Sequence, residues 1–109
     1  MKHKITLPQL KKYDITQKVI EALADAESRT ILFSLIHRGK TASNLSESLK
    51  IPLSSVYKKI SDLENLTLLK VEKTILSEKG RRFKVYRSRI NRAEISIKKP
   101  EPTLSLTAN

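Results

Sequence analysis

Apolar residues recur at helical spacing over roughly the first two-thirds of the chain and at alternate positions beyond it. Ile15, Val19, Ile20 and Leu23 share one side of a helix read from about residue 14 to 24. Asp14 or Thr16 can cap that helix, since a short side-chain oxygen accepts from free backbone N–H groups. Ile31, Leu32, Leu35 and Ile36, with Phe33 beside them, predict a second helix over about residues 26–38. Gly39 stands where a left-handed C-cap is wanted, and Arg38 and Lys40 suit the negative end of that helix. Residues 41–66 read as two short helices joined by a tight turn. Ala42, Leu45 and Leu49 form one face of the first; Val56, Ile60 and Leu63 form a single stripe on the second. Lys50-Ile51-Pro52 separates them, because proline disfavours the helical conformation in the residue before it and suits the start of the next helix.

After Leu66 the period changes. Leu69, Val71, Lys73 and Ile75 alternate with polar partners, as in a strand. Ser77-Glu78-Lys79-Gly80 reads as a hairpin tip with Gly80 in a left-handed position. Phe83, Val85 and Arg87 then alternate with Lys84, Tyr86 and Ser88 in a second strand. Residues 90–99 fit two patterns: Ile90, Ala93 and Ile97 lie on a helix face, while Ala93, Ile95 and Ile97 alternate. The β-branched isoleucines favour the strand. Pro100 and Pro102 end regular structure, and residues 103–109 read as a tail in which Leu104 and Leu106 could add an edge strand. Residues 1–13, which include Pro8, read as an arm with a turn of helix near Gln9–Tyr13. The expected organisation is an arm (1–13), one mainly helical α+β domain (14–99) and a tail (100–109). Within the domain the two-helix unit spans 41–66 and the hairpin 68–90.

A chain of 109 residues that is 39% hydrophobic suits one domain with a modest core. No apolar run approaches the roughly 18 residues of a membrane span, and Met1–Pro8 lacks the apolar centre of a signal peptide. Cysteine is absent, which excludes disulfides, thiolate metal sites and cysteine nucleophiles, and fits a reducing, cytoplasmic setting. Charge changes the picture most. The net charge is +11, which implies a polyanionic partner. Residues 1–66 hold 11 basic and 7 acidic side chains; residues 67–100 hold 11 and 3, so the excess is concentrated in the strand region.

The order of three helices, a further helix facing solvent with donors and cations, and a basic hairpin is that of a winged helix-turn-helix. Over roughly residues 20–90 the chain resembles the arsenic-repressor-like (ArsR) group and its broader winged-helix relatives. Glu21-Ala22-Leu23-Ala24-Asp25 followed by Ile31-Leu32 is similar to the opening helix pair of that group. Leu45-Ser46-Glu47-Ser48-Leu49 is similar to its first helix-turn-helix member, and residues 54–64 resemble its recognition helix. The chain departs from the group at three points. Ser28, followed by Arg29, stands where an arginine is usual. Thr67 and Leu68 replace the usual turn glycine before the wing. Residues 45–49 hold no cysteine pair, which excludes the metal sensing found in some members.

The resemblance implies double-stranded DNA as partner, a homodimer, and a role in transcription regulation, in the cytoplasm and associated with the nucleoid. Ser54, Ser55, Tyr57, Lys58 and Ser61 are the candidates for base edges or nearby phosphates in the major groove. Lys59 and Lys50 are candidates for phosphate alone, and Thr41 and Ser43 could donate to phosphate from the preceding helix. Lys79, Arg81, Arg82 and Lys84 on the hairpin would follow the backbone or enter a minor groove. Dimerisation would use Ile15–Leu23 and residues 90–99. Arg87, Arg89 and Arg92 could line that dimer surface or keep an edge strand soluble. Two other readings stay open: an architectural binder without sequence preference, and a winged helix used for protein contact in transcription or replication machinery. Catalysis has little to stand on. His3 and His37 have no partner at ligand spacing, Asp62 and Glu64 do not face one another on a helix, and there is no glycine-rich phosphate loop or nucleophile elbow. No cofactor, metal, membrane or small-molecule ligand is expected.

Overall fold

The computed structural model describes the backbone of residues 7–109 and the side chains from Ile15 onward. Four helices precede four strands among these residues: α1 (Leu7–Ala24), α2 (Ala26–Ser34), α3 (Ala42–Leu49), α4 (Leu53–Asn65), β1 (Leu69–Leu76), β2 (Arg82–Ser88), β3 (Ile90–Ser96) and β4 (Thr103–Ala108). The α+β class and the helical body with a basic C-terminal hairpin therefore hold.

Helix α1 begins at Leu7, not near residue 14, so Asp14 and Thr16 are interior positions rather than caps. Nothing between Leu7 and Ile15 breaks a helix, because Pro8 falls in the first turn, where its missing N–H costs no hydrogen bond. The rest of the expected arm, residues 1–6, lies outside the described residues. Asp25 ends α1 and starts α2. Its backbone is extended, and its carboxylate accepts from the Ser28 N–H at 2.9 Å. Arg29 Nη1 donates to the Leu23 carbonyl at 2.7 Å and so closes the end of α1.

Helix α2 stops at Ser34, a turn before the residue expected from the sequence. Gly39 is therefore not its C-cap, and it does not have positive φ. Its role is close approach. A Cβ there would lie 2.7 Å from Val85 Cγ1 and 3.2 Å from the Tyr86 carbonyl oxygen. Beside it, Lys40 and Tyr86 exchange two backbone hydrogen bonds, N–H to O at 3.1 Å and 2.9 Å. The Ile36 carbonyl beyond α2 is met by Arg87 Nε and Nη2 at 3.0 and 2.9 Å, a task the sequence assigns to Arg38 and Lys40.

Thr41 caps α3 in a two-way capping box with Asn44, and Lys50 closes the helix in the left-handed conformation at φ 58°. Val56, Ile60 and Leu63 of α4 are buried as one stripe, packed with Ile31, Leu32, Leu35 and Leu45. Thr67 then adopts φ 61°, the left-handed conformation that glycine takes most readily.

Strands β1 and β2 pair antiparallel, with Glu72 bulged out between Val71 and Lys73. Gly80 takes φ 79° at the tip, as the hairpin reading requires. The ambiguity at 90–99 resolves to strand. Residues 103–109 are not a loose tail, because β4 pairs antiparallel with β3 and joins Ile95 to Leu104 and Ala93 to Leu106. Alternation puts these four on one face, and Ala93 and Leu104 pack onto the core. Asn109 fastens the end, with its Nδ2 donating to the carbonyls of Ile36 and Ser88 at 2.9 and 3.0 Å.

Two substitutions check these backbone assignments. Thr67→Gly removes a β-branched residue from the left-handed region and should raise stability by about 0.5–1 kcal/mol in urea unfolding. Gly39→Ala should lower it by about 1–3 kcal/mol, because a methyl must displace Val85 and the Tyr86 backbone.

Candidate nucleic-acid interface

Helix α4 divides its polar residues among three directions. Opposite the buried stripe, Ser54, Lys58, Ser61 and Asn65 recur at spacings of 4, 3 and 4 and are all exposed, so they form one ridge. Toward the β1–β2 hairpin lies Tyr57, half exposed at 51%. Toward α2 lie Ser55 and Lys59, both partly buried. No side chain caps the start of α4, since Pro52 occupies the N-cap. The first-turn N–H groups of Leu53, Ser54 and Ser55 thus keep their polarity for solvent or an anion.

Strand β2 of the hairpin stands beside Tyr57 and the start of α3. Between them is a cleft of about 340 Å³ lined by Thr41, Ala42, Ser43, Tyr57, Arg82, Phe83, Lys84 and Tyr86. Five residues singled out in the sequence, Thr41, Ser43, Tyr57, Arg82 and Lys84, meet here although up to 43 positions separate them (84 − 41). The Thr41 hydroxyl accepts from the Asn44 N–H at 3.1 Å, and its own proton is left to donate outward. Tyr86 forms the floor, and burial pushes its phenol above the ordinary tyrosine range. Lys79 and Arg81 lie farther out, around a shallow hollow with Ser77, Glu78 and Phe83 at the hairpin tip.

Lys59 is placed elsewhere. Its ammonium lies 2.7 Å from Asp25 Oδ2 and 3.7 Å from Glu27 Oε1, so it ties α4 to the start of α2. The lysine hydrogen bond, with the Ser28 N–H next, holds the Asp25 carboxyl down at about 2, and the carboxylate raises Lys59 in turn. Lys58 makes only an exposed i,i+4 contact with Asp62 at 3.7 Å, which leaves it available. Lys50 is exposed at the α3 C-cap. Among the three arginines left between two roles, Arg87 is engaged with Ile36 and Glu72, Arg92 pairs with Glu94, and Arg89 is exposed.

Sequence reasoning passes over Asn65 and Phe83. Asn65 follows from extending the Ser54–Lys58–Ser61 spacing by one turn. Phe83 enters the sequence reading only as an alternating strand residue, yet it is 37% exposed and lines the cleft. Among the described residues no three His, Asp or Glu side chains converge as metal ligands, and no helix is long and apolar enough to cross a membrane. No protein-family model matches the chain, and no curated protein is detectably similar in sequence.

The Asp25–Lys59 pair sets a pH dependence. A carboxyl whose folded pKa lies below its unfolded value stabilises fully above the unfolded value, near 3.8, and loses that contribution as pH falls toward about 2. Both side chains remain partly in water, so the pair should contribute only about 0.2–1 kcal/mol. Lys59→Met should therefore flatten the acid limb of stability between about pH 4 and 2 in chemical denaturation.

Proposed function

We propose that this chain is a winged helix-turn-helix domain that binds double-stranded DNA as a transcription regulator, associated with the nucleoid in the cytoplasm. Helix α4 lies in the major groove with Ser54, Ser61 and Asn65 toward the bases and Lys58 on a phosphate beside them. The β1–β2 hairpin follows the adjacent backbone. The observation that carries this reading is the cleft in which Thr41, Ser43 and Tyr57 meet Arg82 and Lys84, one helical turn from the uncapped start of α4. Hydroxyl donors, cations and helix N–H groups on one surface match a chain of phosphates.

The protein acts as a homodimer through α1 and the β3–β4 hairpin. Ile15, Ile95, Ile97 and Leu106 are 58, 42, 73 and 39% exposed there, more apolar surface than one copy covers. Two copies would hold their α4 helices about 34–36 Å apart, one turn of DNA.

One feature favours binding with little sequence preference. Helix α4 holds neither arginine nor glutamine, and its single asparagine sits at its last position, so side chains suited to bidentate base contacts are scarce. Selection of bound fragments from a random duplex pool separates the two forms. A recovered palindrome supports a specific regulator, and an unenriched pool supports an architectural binder.

Salt titration tests the surface itself. Lys58, Lys79, Arg81, Arg82 and Lys84 in contact with phosphate predict that log K falls with log salt at a slope of about −4.5 per protomer. Lys58→Ala and Arg82→Ala should each reduce that slope by about 0.9, while Lys59→Ala should leave it unchanged. A slope near zero in the unsubstituted protein would contradict the reading. Light scattering should give twice the chain mass, and Ile95→Glu should return it to one.

A further inference from the structure

The hairpin that carries Lys79, Arg81, Arg82 and Lys84 also exposes apolar side chains at the same end. Leu76 is 67% exposed, Ile75 43% and Phe83 37%. The register sets Leu76 opposite Arg82 and Ile75 opposite Phe83. Opposed residues share a face and successive residues alternate, so Ile75 and Phe83 make one face of the hairpin end apolar, while Leu76 shares the other with Arg82. Strand β1 pairs with β2 alone, which leaves its other edge open. Lys70, Glu72 and Lys73 protect the base of that edge with charge, whereas Thr74, Ile75 and Leu76 do not.

Scattered apolar residues on a surface need no explanation, but an exposed Ile75–Phe83 pair with Leu76 on the opposite face, all within a cluster of four cations, is unlike a solvated loop. The cluster holds a single acid, Glu78. Such a rim matches closely spaced phosphates, and the apolar centre matches stacked bases beneath them. The minor groove of B-form DNA is only about 6 Å wide, and paired strands alone stand about 4.8 Å apart before side chains are added. A hairpin of this breadth enters only if the groove opens, and unstacking a base step opens it.

We propose that the outer end of the hairpin is a wedge: behind the 77–81 loop, Leu76 on one face and Ile75 with Phe83 on the other enter the minor groove, partly unstack one base step and bend the duplex. Lys79, Arg81, Arg82 and Lys84 hold the phosphates on either side. Pyrimidine–purine steps such as TA, which unstack most easily, are the preferred point of entry. The inference rests on the DNA-binding reading above and adds deformation of the duplex to it.

Ring closure of a duplex of about 100 base pairs, shorter than the persistence length of about 150, reads bending directly. At saturating protein, closure should accelerate roughly tenfold or more, and 2-aminopurine beside a TA step should brighten on binding. Ile75→Ser with Leu76→Ser, neither of which lines the cleft, should bind the duplex within about threefold of the unsubstituted affinity, as phosphate contacts persist, yet lose both signals. Leu76→Met, which keeps an apolar tip, should retain them. Binding without faster closure, or equal closure by the double variant, would overturn the wedge and leave the DNA reading intact. Absence of DNA binding in the unsubstituted protein would overturn both. Binding to phosphatidylserine-containing vesicles that the double variant loses, with ring closure unchanged, would assign the tip to a lipid surface instead.

Discussion

Strand β2 is the member on which the rest of the structure depends. One edge pairs with β1; the other meets the segment between α2 and α3. Tyr86 and Lys40 exchange backbone hydrogen bonds, the Ser88 N–H donates to Leu35 O at 3.0 Å, and the Arg87 guanidinium covers Ile36 O. Each contact joins the basic hairpin to the residues just ahead of α3. The approach is close enough that Gly39 has no room for a side chain. That clamp fixes how far the hairpin stands from α4, and so the width of the cleft between them. It also serves the second hairpin, because the Ser88 hydroxyl is buried and bonded to both backbone groups of Ile90, where β3 begins.

The basic side chains fall into two groups with different work. Arg29, Lys59 and Arg87 face protein oxygens: the end of α1, the start of α2 and the carbonyl beyond α2. They settle helix ends whose carbonyls and carboxylate would otherwise depend on water. Lys58, Lys79, Arg81, Arg82 and Lys84 are exposed. Composition alone cannot make that division, because the two groups have the same residue types and are interleaved along the chain.

Two tight turns aim the exposed group. Lys50 and Thr67, both in the left-handed region, reverse the chain before and after α4. Neither is glycine, so each position carries a steric cost that the packing of Val56, Ile60 and Leu63 must offset. Thr67 is followed at once by the buried Leu68 and Leu69, which anchor the start of β1 beneath α4. The orientation of the hairpin is thus held by core burial on one side and by the β2 clamp on the other.

The pattern of apolar positions alone determined the helix order, the unit over 41–66, the hairpin and its Gly80 turn, since each follows from a local period or a local backbone need. Five of the eight residues that line the cleft were among those implied by the family resemblance rather than by the apolar pattern. The tertiary structure decided what depends on distant partners. Lys58 and Lys59 are neighbours in sequence, but a 100° rotation along the helix sends one to solvent and the other to Asp25. Gly39 looked like a helix cap until strand β2 was seen to pass beside it. Residues 103–109 became a strand only because β3 offers them an edge and α1 with the core gives Leu104 somewhere to pack. In each case the deciding energy comes from a contact between segments far apart in the chain, and no local period records it.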